Sequence, residues 1–234
     1  MTMLELYITG VEQNKNKIYV TTGLAATMQS LSYSVGVYKP VETGVEEYSK
    51  DLAYVNHVDS FIKTYFTYQL TSSLTPFLAA ASEGLVMEKS VIIEDYRKIT
   101  NINECLITDG LSGLATPLSK DFLEEDIVKT LELPILFVVS AKNPEINNTF
   151  LSLNRAKELN LDIRGVIIND YPENSSNPDV KLMPKLIEEY TNAKVLGILP
   201  KFAKFPAPEE LISQTLNNIN IEDVFNIKIA KLKI

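Results

Sequence analysis

Apolar residues in this chain fall into short dense runs separated by longer segments in which they recur every three to four positions. The runs at residues 4–9, 34–38, 104–108, 135–140, 163–169 and 195–199 are β-branched or leucine-rich. They lack polar alternation, as strands buried on both faces do. Between them, helical periodicity covers residues 18–31, 75–83, 90–98, 122–131, 146–159, 180–190 and 208–217, several bounded by Pro or Gly. Strands alternating with helices predict one α/β domain over residues 1–234: a three-layer α/β/α sandwich around a mainly parallel sheet. Its crossovers are right-handed, and its ligands gather at the carboxyl ends of the strands. Residues 171–179 read as a polar surface loop. Residues 219–234 read as a C-terminal extension that forms an edge strand or a subunit contact. No internal repeat is present.

The residues able to carry chemistry fall at those strand ends: Lys17, Lys39, Asp109 and Asn169 each follow a predicted strand. After the first strand the chain runs Gly10-Val11-Glu12-Gln13-Asn14-Lys15-Asn16-Lys17-Ile18 into a helix. This is the layout of a phosphate-binding loop, in which backbone N–H groups and a helix N-terminus meet the phosphates, a Lys stands beside them and a following hydroxyl holds Mg²⁺. Two parts are replaced. Asn16 stands where a glycine is usual, which requires it to tolerate a left-handed backbone at some steric cost. Ile18 stands where the hydroxyl would be, and Thr21 and Thr22 lie one helical turn further on.

The second strand runs into Lys39-Pro40-Val41-Glu42-Thr43-Gly44. With the loop, this segment resembles the dethiobiotin synthetase family, whose pattern is G-x₅-G-K-T, a helix, and a strand ending in Y-K-P-V-x-[ST]-G. The resemblance covers most of the chain. Ser49-Lys50-Asp51 matches the family's metal-side acid, Thr75 to Ala80 its S-P-H-x-A-A segment, and Thr108 to Leu118 its V-E-G-A-G-G-x-x-x-P-L loop. Gly165 to Asp170 matches the strand ending in N-D that reads adenine, and Leu196 to Pro200 matches the L-G-x-I-P strand.

The resemblance implies a fold of the P-loop NTPase type and an ATP- and Mg²⁺-dependent reaction. In that reaction CO₂ and the diamine 7,8-diaminopelargonate form a carbamate, ATP phosphorylates it, and ring closure gives the cyclic urea of dethiobiotin. Gly10, Glu12, Asn14, Lys15, Asn16, Lys17 and Ile18 would line the nucleotide's phosphates, and Asn169 and Pro200 its base. Lys17 and Lys39 would act on the phosphoryl groups. Asp51 and Asp109 would hold Mg²⁺; Asp109 is a methylene shorter than the family's usual Glu, which points to contact through water. Thr43, Gly110, Leu111, Ser112, Gly113 and Asn147 would meet the diamine, and a homodimer is implied.

Each residue also has a plain structural reading. Lys39 could be a solvated edge lysine, Thr43 a turn cap, and Asp51 and Asp109 ordinary helix or turn acids. Glu42, Glu46 and Glu47 read as a solvated turn, and Glu124-Glu125-Asp126 as acids serving a helix dipole. His57 reads as structural on a surface helix, and Cys105 as a packed strand thiol in a reducing cytoplasm. Partition-type ATPases carry a signature Lys five residues before the loop Lys, where this chain has Glu12, so that reading is disfavoured. A net charge of −8 and a pI near 4.9 argue against a nucleic-acid partner. With mean hydropathy +0.02 and no run of about 18 apolar residues, neither a membrane span nor a signal peptide is supported. Two functions stay open: a dethiobiotin synthetase-like ligase, or a nucleotide-binding relative that has lost turnover, favoured by Asn16, Ile18, Phe77 in place of His, and Pro144.

Overall fold

The central strand pairs with two strands more than ninety positions away in the chain, and those pairings set the architecture. The computed structural model describes residues 3–12, 16–142, 145–172 and 174–229. In chain order its elements are β1 (Leu4–Gly10), α1 (Lys17–Ser30), β2 (Val35–Thr43), α2 (Lys50–Val58), β3 (Lys63–Leu70), α3 (Pro76–Ser82), α4 (Lys89–Thr100) and β4 (Cys105–Asp109). There follow α5 (Glu124–Leu131), β5 (Ile135–Ser140), α6 (Ile146–Glu158), β6 (Ile163–Tyr171), α7 (Pro178–Thr191), β7 (Val195–Pro200), α8 (Pro208–Asn218) and α9 (Ile221–Phe225). The seven strands form one parallel sheet in the order β3-β2-β4-β1-β5-β6-β7.

Side chains alternate across the sheet and so supply two cores. Tyr7, Leu106, Phe137 and Val139 face α3 to α7, while Leu6, Ile8, Ile107 and Val138 face α1, α2, α8 and α9. Helix α1 is buried all round from Lys17 to Met28, because it lies between the sheet and α8. A Cβ on Gly23 would lie 2.1 Å from Thr215 Oγ1, so α1 and α8 touch at that point. The chain leaves β1 toward β2 on one side and crosses from β4 to β5 on the other. Strand order therefore reverses at β1, and a ligand crevice opens at the carboxyl end there.

The six expected strands are present, and β2 continues through Lys39 to Thr43. Strand β3 was not foreseen. It is an edge strand with residues Lys63 to Gln69 exposed or half-buried, so its apolar residues form no dense run. The C-terminal extension supplies one antiparallel bridge, Gly197 to Ile219, and then α9 rather than an edge strand; residues 230–234 lie outside the described part. His57 is exposed on α2, and Cys105 is a buried thiol in β4 whose pKa burial pushes up to about 12. No described helix is long and apolar enough to cross a membrane.

Candidate functional site

Two strands, β2 and β4, and two helices, α1 and α2, deliver charge to a single point beyond the carboxyl ends of β1, β2 and β4. Lys17 opens α1, and its ammonium donates to the Asp109 carboxylate and, at 2.8 Å, to the Gly110 carbonyl. Lys39 leaves β2 and donates to Asp109 Oδ2 at 3.0 Å and to Asp51 Oδ2 at 2.6 Å, with Glu42 Oε1 3.7 Å away. Thr21, one turn after Lys17 on the same face of α1, donates to Asp109 Oδ1 at 2.7 Å. Asp109 therefore receives bonds on both oxygens while only 1% exposed.

The electrostatics follow from these partners. Burial alone would raise the pKa of Asp109, but the Lys17 and Lys39 cations outweigh it and hold the carboxyl well below the usual range. Burial alone would lower the pKa of Lys39, but Asp109, Asp51 and Glu42 outweigh it and push the ammonium well above its ordinary value. Each group stays ionised through the other's presence.

Backbone geometry closes the crevice. Gly110 N–H donates to the Ile8 carbonyl at 2.8 Å, and Gly10 N–H to the Leu111 carbonyl at 3.4 Å, so the segments leaving β1 and β4 run side by side. A Cβ on Gly110 would meet the Tyr7 ring at 2.4 Å, and one on Gly10 would meet the Glu12 carbonyl at 2.9 Å; both positions need glycine. Behind them Glu124, 0% exposed, accepts from Thr9 Oγ1 at 2.8 Å and from Leu111 N–H at 3.0 Å. Among the described residues its other oxygen has no hydrogen-bond partner, and burial, then Thr9, Leu111, Lys17 and Tyr7 in opposition, leave its pKa raised.

A cleft of about 210 Å³ opens at this point. Lys17, Ile18, Lys39, Thr43, Asp51 and Asp109 line it together with Gly110, Leu111 and Ser112, so nine of the candidate residues converge. Gly113 instead lines a neighbouring cavity with Val11 and Arg155. Asn147 is exposed on the first turn of α6 and does not line the cleft. Asn169 and Pro200 end β6 and β7 at the same edge of the sheet, beyond β5. Glu12 is half-buried, and that burial, with Glu145 nearby, raises its pKa. Asn14 and Lys15 lie outside the described residues.

Four expectations change. Asn16 takes φ −93° and ψ 2°, so the residue in the glycine's place carries no left-handed strain. Ile18 is 3% exposed and packs into the core beside α1, so the position of the usual hydroxyl is spent on packing. Glu42 is not a solvated acid: Ser49 Oγ, which also caps α2, donates to it at 2.8 Å, and burial raises its pKa. Glu124 does not serve a solvent-facing helix end but is sealed beneath the crevice. Of the site residues the sequence did not mark, Thr21 carried a local signal, its spacing of four from Lys17. Glu124 carried none.

The donor set fits a nucleotide's phosphates through the two ammoniums and the helix N-terminus. Among the described residues no three acidic, His or Cys side chains group to hold a metal. Asp51 and Asp109 do reach one common ammonium, so the pair fits one small cation whose remaining ligands are water and phosphate oxygens.

The model of a family described as an AAA domain matches residues 5–209. An ATP-dependent dethiobiotin synthetase of Bacillus subtilis (strain 168) is 28% identical over 229 residues, covering 96% of this chain and 98% of the relative. Its counterpart in Bacillus velezensis is 30% identical over 206 residues, covering 85% of this chain and 87% of the relative. Among solved structures, a ParA family ATPase from Chlorobium tepidum TLS superposes with a TM-score of 0.56 at 10% identity, over 97% of this chain and 93% of that one. That likeness is one of fold.

Proposed function

The chain belongs to the dethiobiotin synthetase family as a divergent member, and we propose that it is an ATP- and Mg²⁺-dependent ligase that closes a cyclic urea from 7,8-diaminopelargonate and CO₂. The observation that carries this reading is the meeting of Lys17 and Lys39 on Asp109, with Asp51 on the far side of Lys39. Lys17, at the helix N-terminus, binds the β- and γ-phosphates in place of its present acid. Lys39 neutralises the phosphoryl group in transfer and the carbamate that attacks it. Mg²⁺ held by Asp51 and Asp109 would neutralise charge on the phosphates.

Thr43 orients the diamine at the mouth of the cleft, and the Gly110–Ser112 backbone lines its path. One amine takes up CO₂, and the carbamate oxygen attacks the γ-phosphorus with loss of ADP. The second amine then attacks the carbamate carbon and expels phosphate. The protein's part is placement and charge, not covalent chemistry. Asn147 does not line this copy's cleft, and we infer that it acts on substrate held by a second copy in a cytoplasmic homodimer. Asn169 and Pro200 take the adenine.

The burial of Ile18 favours the second reading, a nucleotide binder without turnover. Calorimetric titration of ATP with and without Mg²⁺, followed by phosphate release with diaminopelargonate and bicarbonate, separates the two. Phosphate release that depends on the diamine is expected. Mg²⁺-independent binding with no release would overturn the ligase in favour of the binder.

A further inference from the structure

Asn16 caps α1 by position, yet its side chain makes no capping bond to its own helix. It reaches across the sheet edge instead. Its Nδ2 donates to Asp170 Oδ1 at 2.7 Å, joining residues 154 positions apart. Asp170 directly follows Asn169 at the end of β6 and is only 6% exposed. Its φ is +54°, a left-handed backbone that Asp tolerates better than most residues. Its second oxygen accepts from Ser140 Oγ, at the end of β5, at 3.2 Å. One buried carboxylate thus ties together the ends of β5 and β6 and the start of α1.

We propose that Asn16 and Asp170 form a latch that holds the start of α1 in its binding position, doing by a cross-sheet bond what a glycine does elsewhere by backbone freedom. Asn16 is a positioning residue here, and so is Asp170. Because Asn16 already sits at negative φ, a glycine there would relieve nothing. It would lose the bond and loosen the start of α1. The latch also makes the end of β6 and the start of α1 one mechanical unit. Asp170 is therefore needed for binding phosphates that it does not touch. This inference rests on the nucleotide-binding reading of the cleft for its ligand, though not for the latch itself.

The sign of one effect separates the latch from simple charge. Removing an acid near a polyanion site ordinarily tightens binding of the polyanion. The latch predicts the reverse: Asp170→Ala weakens binding of inorganic triphosphate and of ATP about tenfold, the loss of one charge-assisted hydrogen bond. Asp170→Asn keeps an acceptor oxygen and the tolerance for left-handed backbone, and stays within about threefold of wild type. Asn16→Ala should match Asp170→Ala, and the double variant should be no worse than either single one.

Calorimetric titration of triphosphate and ATP into wild type and the four variants reads these outcomes. Tighter binding in Asp170→Ala, or additive losses in the double variant, would overturn the latch. A wild-type protein that binds neither ligand overturns the nucleotide reading but leaves the latch open to a second measurement. In the absence of any ligand, amide exchange at residues 17–19 should quicken about tenfold in both alanine variants. Unchanged exchange there would sink the latch.

Discussion

Thr21 Oγ1 donates to Asp109 Oδ1 at 2.7 Å, which places a hydroxyl of α1 on the central acid of the site, one turn beyond the position a phosphate loop normally uses. The hydroxyl is fully buried and has no water to return to. Thr21→Val keeps the shape and deletes the bond. It should lower stability by about 1–3 kcal/mol, the range for a buried hydrogen bond to a charged acceptor. Urea denaturation at neutral pH measures it, and an unchanged midpoint would show the contact to be incidental.

The two lysines should separate in kinetics. Lys17→Ala removes the only described ammonium at the helix N-terminus, so nucleotide affinity falls and phosphate release stops. It also strips one cation from buried Asp109, at a cost of about 3–5 kcal/mol in stability. Lys39→Ala should spare nucleotide affinity and remove turnover, because a charge acting on the transferring group lowers kcat rather than raising KM. A Lys39 variant that turns over normally would reduce that residue to an edge lysine.

Glu124 and Asp109 should pull the pH dependence of stability in opposite directions. Asp109 has a depressed folded pKa, so its contribution is present above the ordinary Asp value of 3.8 and is lost as the pH falls below it. The folded pKa of Glu124 is raised, mainly by burial, with Tyr7 and Lys17 facing it. Its contribution is full below the ordinary value of 4.5 and is lost as the pH rises through the folded pKa. Glu124→Gln keeps the oxygen that Thr9 and Leu111 use and removes the titration. The variant should therefore gain on wild type between pH 4.5 and pH 8, read as the difference in urea midpoints. A difference that does not move with pH would place the titration elsewhere.

Ile18→Thr returns the missing hydroxyl at the expense of the core. Threonine in this buried position should cost about 1–3 kcal/mol of stability. In exchange, ATP affinity should become more dependent on Mg²⁺, by calorimetry at several Mg²⁺ concentrations. No gain in Mg²⁺ dependence would mean that Asp51 and Asp109 do not approach the metal from this side.

How much of this was legible from the residues depended on how local the cause was. Strands such as residues 135–140 announce themselves because burial on both faces demands an unbroken apolar run. Strand β3 pairs only with β2 and faces solvent along its free edge, so Lys63, Phe66 and Gln69 gave no such run. Lys17 was found through its place in the loop, and Lys39, Asp51 and Asp109 through the family resemblance; the fold brings all four together. Glu124 was read as a helix-end acid because its partners, Thr9 and Leu111, are 115 and 13 positions away. Asn16 was read through its backbone alone, when its side chain and a partner on β6 decide its role.

The contact between Gly23 and Thr215 bears on how the protein is made. Helix α1 is made long before α8, which forms one of its walls, and the edge of β7 is met by Ile219. Strand β1, in the middle of the sheet, waits for β4 and β5. A nascent chain released before residue 219 would carry an apolar helix with one side bare and a strand with unpaired amides, both adhesive surfaces. Folding is therefore expected to finish only after residue 219 has been made, with the slow rates that such distant pairings impose.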